Sequence, residues 1–213
     1  MKVRKDAPLE LLGPLGCGIQ TGAGAVLNVL KPEKGSSFAL FGCGGVGLAA
    51  LMGARIAGCD PIVAVDKVSS RLDLARKLGA THVIDASKED PVARLAGMGG
   101  MNYVIEAAGI PSVIAQAIQT TRARGICGIL GVVKPDATLT VNVLQAFSGR
   151  TIMGITEGDA DPHVFIPYLV DKFMAGELPL DLLVKFYAFE EINKAVADSE
   201  SGVTVKPILR MAI

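Results

Sequence analysis

The chain has 213 residues, and its 21 Lys plus Arg balance 21 Asp plus Glu, so the formal net charge is zero. That balance excludes a binder of nucleic acid or of acidic membrane driven by charge, because such proteins carry a surplus of basic residues. Half of the residues are hydrophobic and 20% are charged, with a mean hydropathy of +0.45, which excludes general disorder and predicts a large core with a surface suited to association.

The first residues, MKVRKDAPLELLG, contain no long apolar run before an acidic residue, so no signal peptide is read there. Residues 37–41 form a short apolar run that ends in glycines and predict a buried strand. Residues 46–58 are rich in Ala, Leu and Met and predict a helix, which Gly58 stops. The stretch 38–57 is the longest apolar segment. It is interrupted by glycines and Arg55, so it is read as a strand, loop and helix rather than a membrane span of about 20 residues.

The same beat continues down the chain: a strand at 61–66, a helix that Ser69 caps and that runs through Leu78, a strand at 82–85 and a weaker helix at 90–98. A strand at 103–106, a helix opening at Pro111, a strand at 125–130 and a sixth strand at 151–155 follow. Residues 138–144 also have the composition of a strand. Strand–helix alternation with continuously apolar strands predicts an α/β, doubly wound parallel sheet covered by helices on both faces. After Ile155 the beat is lost. A polar loop at 157–162, a helix at 165–175, an apolar run at 183–187, a helix at 190–199 and a closing strand at 204–209 read as a second lobe or a partner surface.

Gly42-Cys-Gly44-Gly45-Val46-Gly47 is a GxGxxG pattern directly after a predicted strand and at the start of a predicted helix. Gly42 permits the tight turn, Gly44 lets a pyrophosphate approach the backbone, and Gly47 lets the helix pack closely on the sheet. The helix N-terminus offers unpaired N–H groups and a positive dipole end to phosphates. Asp66 closes the second strand, 19 residues after Gly47, where a carboxylate accepts hydrogen bonds from ribose hydroxyls and repels a 2′-phosphate. The expected cofactor is NAD rather than NADP. Arg71 is read equally as a neighbour of the adenosine and as an ordinary arginine on a helix surface.

Cys17, Cys43, Cys59 and Cys127 are scattered without a CxxC pair, which argues against a disulfide framework or a structural zinc site and for a reducing, cytoplasmic setting. Cys43, Cys59 and Cys127 read as packing residues. His82 reads as structural, and His163 is left open.

Gly16-Cys17-Gly18, Thr21-Gly22, the glycine pattern, Asp66, residues 77–85 and Ser148-Gly-Arg-Thr151 together resemble the zinc-dependent medium-chain alcohol dehydrogenases along nearly the whole chain. Residues 154–159, 185–187 and 202–211 are similar to its aryl (benzyl) alcohol dehydrogenase branch. The resemblance implies a Rossmann domain followed by a partial, orphaned segment of a catalytic domain. It gives residues 1–17 as a remnant of the domain junction, 18–156 as the NAD-binding domain and 157–213 as the segment that returns to the catalytic domain. It also implies roles. Cys17 matches a ligand of the catalytic zinc, Thr21 a catalytic residue near the nicotinamide, and Val46 the side chain behind the nicotinamide ring. Leu130, Gly131 and Val132 match the turn beside the cofactor, Ile155 the position where backbone holds the carboxamide, and Lys206 a basic residue near the pyrophosphate.

In that family the zinc takes its remaining protein ligands from an N-terminal barrel of about 150 residues, a usual domain size, to which nothing in this sequence corresponds. Three readings stay open. The chain is the NAD-binding part of an enzyme passing hydride between an aryl or other small alcohol, or its aldehyde, and NAD. Or it is a non-catalytic NAD-binding module that dimerises, or a zinc-free reductase of the same superfamily. A homodimer through the sixth strand at the sheet edge is expected, with no nucleic acid or membrane as partner.

Overall fold

Residues 2–211 are described here in a computed structural model of the chain. A short buried helix, α1 (Gly18–Gly24), leads through a wider turn at Ala25–Leu30 into the first strand, β1 (Phe38–Phe41). Four strand–helix units then follow: α2 (Gly45–Ala57) and β2 (Ile62–Asp66), α3 (Ser69–Leu78) and β3 (His82–Asp85), α4 (Pro91–Gly97) and β4 (Met101–Glu106), α5 (Pro111–Thr120) and β5 (Thr121–Ile129). A short helix, α6 (Val143–Phe147), precedes β6 (Thr151–Gly154).

The six strands form one sheet in the order β3-β2-β1-β4-β5-β6, and each neighbouring pair is parallel. Parallel neighbours need crossover connections, which the intervening helices provide. The order reverses between β1 and β4, and a crevice opens at the carboxyl ends of the strands there. Alternation along β1 feeds both faces of the sheet. Phe38 and Leu40 pack with Ile19, Leu51, Met52 and Leu78 from α1, α2 and α3. Ala39 and Phe41 pack with Leu95, Ile114 and Ile118 from α4 and α5. This is the α/β, doubly wound Rossmann sheet that the alternating pattern predicts.

One expected strand is absent. Residues 138–142 are irregular, and the strand-like run continues into α6. Asn142 starts that helix: its side-chain oxygen accepts from the Leu144 N–H at 2.9 Å, and its carbonyl accepts from the Gln145 N–H. Strand propensity expresses a fit to a pleated, half-buried surface. Leu139, Val143 and Leu144 are instead exposed, so no packing enforces a strand.

The next helix, α7 (Pro162–Met174), starts three residues before its predicted position because Asp161 caps it, accepting from the His163 N–H at 2.9 Å. It buries Phe165, Ile166, Leu169 and Val170 in the same cluster as α1 and α2. The chain then forms β7 (Val184–Ala188), α8 (Ile192–Glu200) and β8 (Lys206–Arg210), with β7 and β8 paired in parallel as a separate two-stranded sheet. The Tyr187 hydroxyl ties it together, donating to Asp198 at 2.7 Å and lying 2.6 Å from the Thr204 hydroxyl.

Candidate cofactor site

The glycine turn sits at the switch point. Gly42 has φ +94°, and a Cβ there would lie 2.9 Å from the Ala108 N. Only glycine meets both demands. At Gly47 a Cβ would overlap the Gly42 carbonyl oxygen, so its absence sets the close packing of α2 against the turn. Beyond its own chain neighbours, no atom lies within 4 Å of the position a Cβ would take at Gly44. Gly44 caps α2 without a side chain, leaving the first-turn N–H groups free to face a ligand.

Asp66 is 9% exposed, and its carboxylate bridges two loops: Oδ2 accepts from the Cys43 N–H at 2.7 Å and Oδ1 from the Val68 N–H at 2.9 Å. The predicted ribose carboxylate is thus tied into the same turn that would hold the phosphates. Phe41, Gly42, Gly44, Asp66, Arg71 and Ala108 contribute to the lining of a cavity of about 290 Å³ at this point. Arg71 therefore belongs to the pocket. Its guanidinium also passes beside Gly202, where a Cβ would lie 2.9 Å from Nη2, and its buried Nε has no hydrogen-bond partner.

A second group of predicted residues gathers where α1 crosses α2. Gly22 makes the crossing possible, since a Cβ there would overlap the Val46 carbonyl oxygen. Next to Cys17, a Cβ at Gly18 would lie 3.5 Å from the Val46 side chain, and the Thr21 hydroxyl donates to the Cys17 carbonyl at 2.9 Å. Lys206 reaches over from β8: a Cβ at Gly18 would lie 2.9 Å from its Nζ, and one at Gly45 would overlap its side chain. Facing α1 is a turn with three successive left-handed residues, Glu157 (φ +49°), Gly158 (φ +66°) and Asp159 (φ +45°). The Glu157 carboxylate accepts from Gln20 Nε2 at 3.0 Å and from the Thr21 hydroxyl at 3.3 Å, and lies 3.6 Å from Cys17 Sγ.

The third group, at the ends of β5 and β6, lies outside the lining of the cavity beside Asp66. Leu130 and Gly131 both donate their N–H to the Glu106 carbonyl, at 2.8 and 3.2 Å. Val132 is 93% exposed, and Ile155 is buried with its N–H donated to the Ile129 carbonyl at 3.1 Å. Beneath them Glu106 is fully buried, and burial raises its pKa against the opposing pull of main-chain N–H donors.

The site fits a dinucleotide on three observations: an open cradle at Gly44, an unpartnered guanidinium nitrogen on Arg71, and an acidic residue fixed at the end of β2. A zinc ion fits less well. Among the described residues no three His, Cys, Asp or Glu side chains are grouped to hold a metal. A catalytic zinc takes three protein ligands and keeps an open position, so no zinc-dependent step can be assigned to the residues described. The other three cysteines are buried, as packing residues should be. His82 is exposed, with Nδ1 2.9 Å from the Thr81 hydroxyl, and His163 lies exposed in the first turn of α7.

Glu106, Glu157 and Gln20 escaped the reading of the sequence. Glu106 left one signal, a charged residue closing an otherwise apolar strand. Glu157 falls within the 154–159 stretch that carries the family likeness, but nothing local marks its contacts, because its neighbours in space lie well over a hundred positions away in sequence.

Comparison with known proteins places the chain. Residues 45–173 match the family described as zinc-binding dehydrogenase. The chain is 46% identical over 213 residues to geraniol dehydrogenase of Castellaniella defragrans, an alignment covering 98% of this chain and 57% of that protein. It is 38% identical over 216 residues to alcohol dehydrogenase 1 of Pisum sativum, covering 99% of this chain and 57% of that protein. Among solved structures, benzyl alcohol dehydrogenase from Acinetobacter calcoaceticus superposes with a TM-score of 0.97 at 47% identity, over 100% of this chain and 59% of the other. The alcohol dehydrogenase zinc-binding domain protein from Burkholderia ambifaria also superposes at 0.97, with 52% identity, over 100% of this chain and 58% of that one. The chain thus spans less than two thirds of the length of these relatives. No helix among the described residues is long and apolar enough to cross a membrane. The glycine turn, the strand order and these matches agree: the chain belongs to the zinc-binding dehydrogenase family.

Proposed function

We propose that the chain is the NAD-holding part of an alcohol dehydrogenase that passes a hydride between an aryl or other small alcohol and NAD. The observation that carries this reading is the union of Asp66 with the glycine turn at the sheet's switch point. Bound NAD supplies the hydride acceptor. This chain's residues bind and orient it. The first turn of α2 and Lys206 face the pyrophosphate, Asp66 and Arg71 hold the adenosine ribose, and Val46, Thr21 and Ile155 border the nicotinamide. The turn at Leu130, Gly131 and Val132 closes the cleft on that side. The aryl preference rests on the likeness to a benzyl alcohol dehydrogenase.

The division into 1–17, 18–156 and 157–213 belongs to the same reading, as do a cytoplasmic location and a homodimer through β6. Cys17 stands as a zinc ligand to be completed by residues from elsewhere. For this chain by itself a second reading, a dimerising module that binds NAD without chemistry, is favoured by the lack of a three-donor group among the described residues. Calorimetric titration with NAD, together with zinc content and benzyl-alcohol-dependent NADH formation, tests both. Micromolar NAD affinity is expected. Absence of NAD binding overturns both readings, whereas bound zinc with NADH formation overturns the second.

A further inference from the structure

Glu106 is the last residue of β4, between β1 and β5, and no part of it reaches solvent. Burial of a carboxyl group is costly without partners, and this one is only half satisfied. Its Oε1 accepts from the Ala108 N–H at 2.8 Å and from the Gly109 N–H at 2.9 Å, whereas Oε2 has no partner. The loop it grips belongs to the wall of the cleft, since Ala107, Ala108 and Ile110 line the cavity beside Asp66.

The turn after β5 rests on the same group. A Cβ at Gly131 would come within 2.6 Å of Glu106 Oε2 and would overlap the Gly109 backbone. Gly109, at φ +68°, in turn lies against the Val132 carbonyl. Gly42 touches Ala108 from the glycine turn. The loops after β4 and β5 therefore meet over one buried carboxyl group with glycines at the contact, and the glycine turn after β1 abuts the same Ala108.

We propose that Glu106 is a positioning residue for the dinucleotide: from beneath the cleft it fixes the Ala108–Gly109 loop against the Gly131 turn, so that the adenosine and nicotinamide walls hold one spacing. The inference rests on the NAD-binding reading above. What the position requires is an acceptor at the reach of a glutamate side chain. A glutamine keeps such an oxygen toward both N–H groups and places its amide at the unpartnered side. An aspartate keeps the carboxyl group but withdraws it by one methylene.

The test compares NAD affinity by calorimetry in the unmodified chain and in Glu106→Gln, Glu106→Asp and Glu106→Leu, with thermal melting as the check on folding. Glu106→Gln should bind NAD within about threefold of the unmodified chain. Glu106→Asp should lose about tenfold or more, consistent with two main-chain donors left without their acceptor. Glu106→Leu, where it folds, should lose at least as much. A loss for glutamine as large as for aspartate overturns the account, and so does unchanged affinity in the aspartate variant. Failure of the unmodified chain to bind NAD overturns the cofactor reading and this proposal with it. Binding by the unmodified chain that every variant shares overturns this proposal alone.

Discussion

The Cys17 thiol and the Glu157 carboxylate stand 3.6 Å apart, although 140 positions separate them in the chain. Their meeting depends on the left-handed turn at 157–159, which Gly158 seats against α1. A Cβ at Gly158 would lie 2.6 Å from the Gln20 carbonyl oxygen and 2.7 Å from Gly24 Cα, and the Gly158 carbonyl accepts from Asn28 Nδ2 at 3.1 Å. Gly158→Ala should therefore cost about 2–4 kcal/mol, combining left-handed strain with overlap against backbone. Glu157→Gln, exposed and still able to accept from Thr21, should stay within about 1 kcal/mol of the unmodified chain. Urea denaturation of both variants checks the pair, and equal stabilities would refute this view of the turn.

Asp66 holds the glycine turn, so its removal by alanine would loosen that turn as well as the proposed ribose contact. Asp66→Asn is the cleaner change, because the amide oxygen still accepts from one of the Cys43 and Val68 N–H groups. The like charge that opposes a 2′-phosphate disappears in this variant. The NAD-over-NADP preference should narrow by about tenfold or more, equivalent to about 1.4 kcal/mol. Parallel titrations with the two cofactors measure it. An unchanged ratio with an intact fold would remove Asp66 from the cofactor site.

Two glycines of one turn should respond in opposite ways. At Gly44 a side chain enters open space, so Gly44→Val should melt within a few degrees of the unmodified chain while NAD affinity falls by about tenfold or more, from a branched group beside the pyrophosphate. At Gly47 even a methyl group overlaps the Gly42 carbonyl, so Gly47→Ala should lose about 3 kcal/mol or more of stability. Circular-dichroism melts and NAD titrations on the two variants separate these effects. Native affinity in a folded Gly44→Val would contradict the phosphate cradle.

The Rossmann sheet was legible because each of its features is local. The apolar run at 38–41, the glycine turn and Asp66 follow one another in sequence, and α3 begins at Ser69, the residue expected to cap it, with Val68 in the cap position instead. Of the candidate site, the glycine turn and Asp66 could be found from local chemistry, and the fold joins them through the Cys43 N–H. It was not legible where residues distant in sequence meet: Glu106 holds the Ala108–Gly109 loop beside the Gly131 turn, and a strained turn returns Glu157 to α1. The run at 138–144 failed for the converse reason. Its composition suits a strand, but Asn142 offers a helix start and no neighbouring strand offers burial.

Burial raises three of the four thiols: Cys59 to about 11, Cys127 to about 12 and Cys43 higher still, all from 9.0. A raised value means that the folded chain holds its thiol protons where the unfolded chain has released them. The resulting stability is fully present below pH 9 and is lost as pH rises from there through about 11–12. Thermal melts should fall more steeply above pH 9 for the unmodified chain than for Cys59→Ala, which lacks one of the three thiols. A thiol reagent at pH 8 should modify Cys17 quickly and the buried three only on unfolding, since only Cys17 is exposed. Four equally fast thiols would contradict this burial.

The last expectation concerns assembly. β6 has β5 on one side and forms the edge of the six-stranded sheet. An open edge of a parallel sheet presents unpaired N–H and C=O groups, which another chain can satisfy. This edge is also apolar, with Ile152 40% exposed, and α6 just before it exposes Leu144 at 75% and Phe147 at 82%. A net charge of zero provides no long-range repulsion between copies. A twofold dimer would satisfy both edges with one repeated patch. Sedimentation at micromolar concentration should therefore show a dimer for the unmodified chain. Ile152→Lys places a charge on the edge by the means natural proteins use to keep strands apart, and with Phe147→Ser it should shift the chain toward monomer with little change in melting temperature. NAD affinity should persist in the double variant, because neither residue lines the cavity beside Asp66. A stable monomer of the unmodified chain, or a dimer that both substitutions leave intact, would place the association elsewhere.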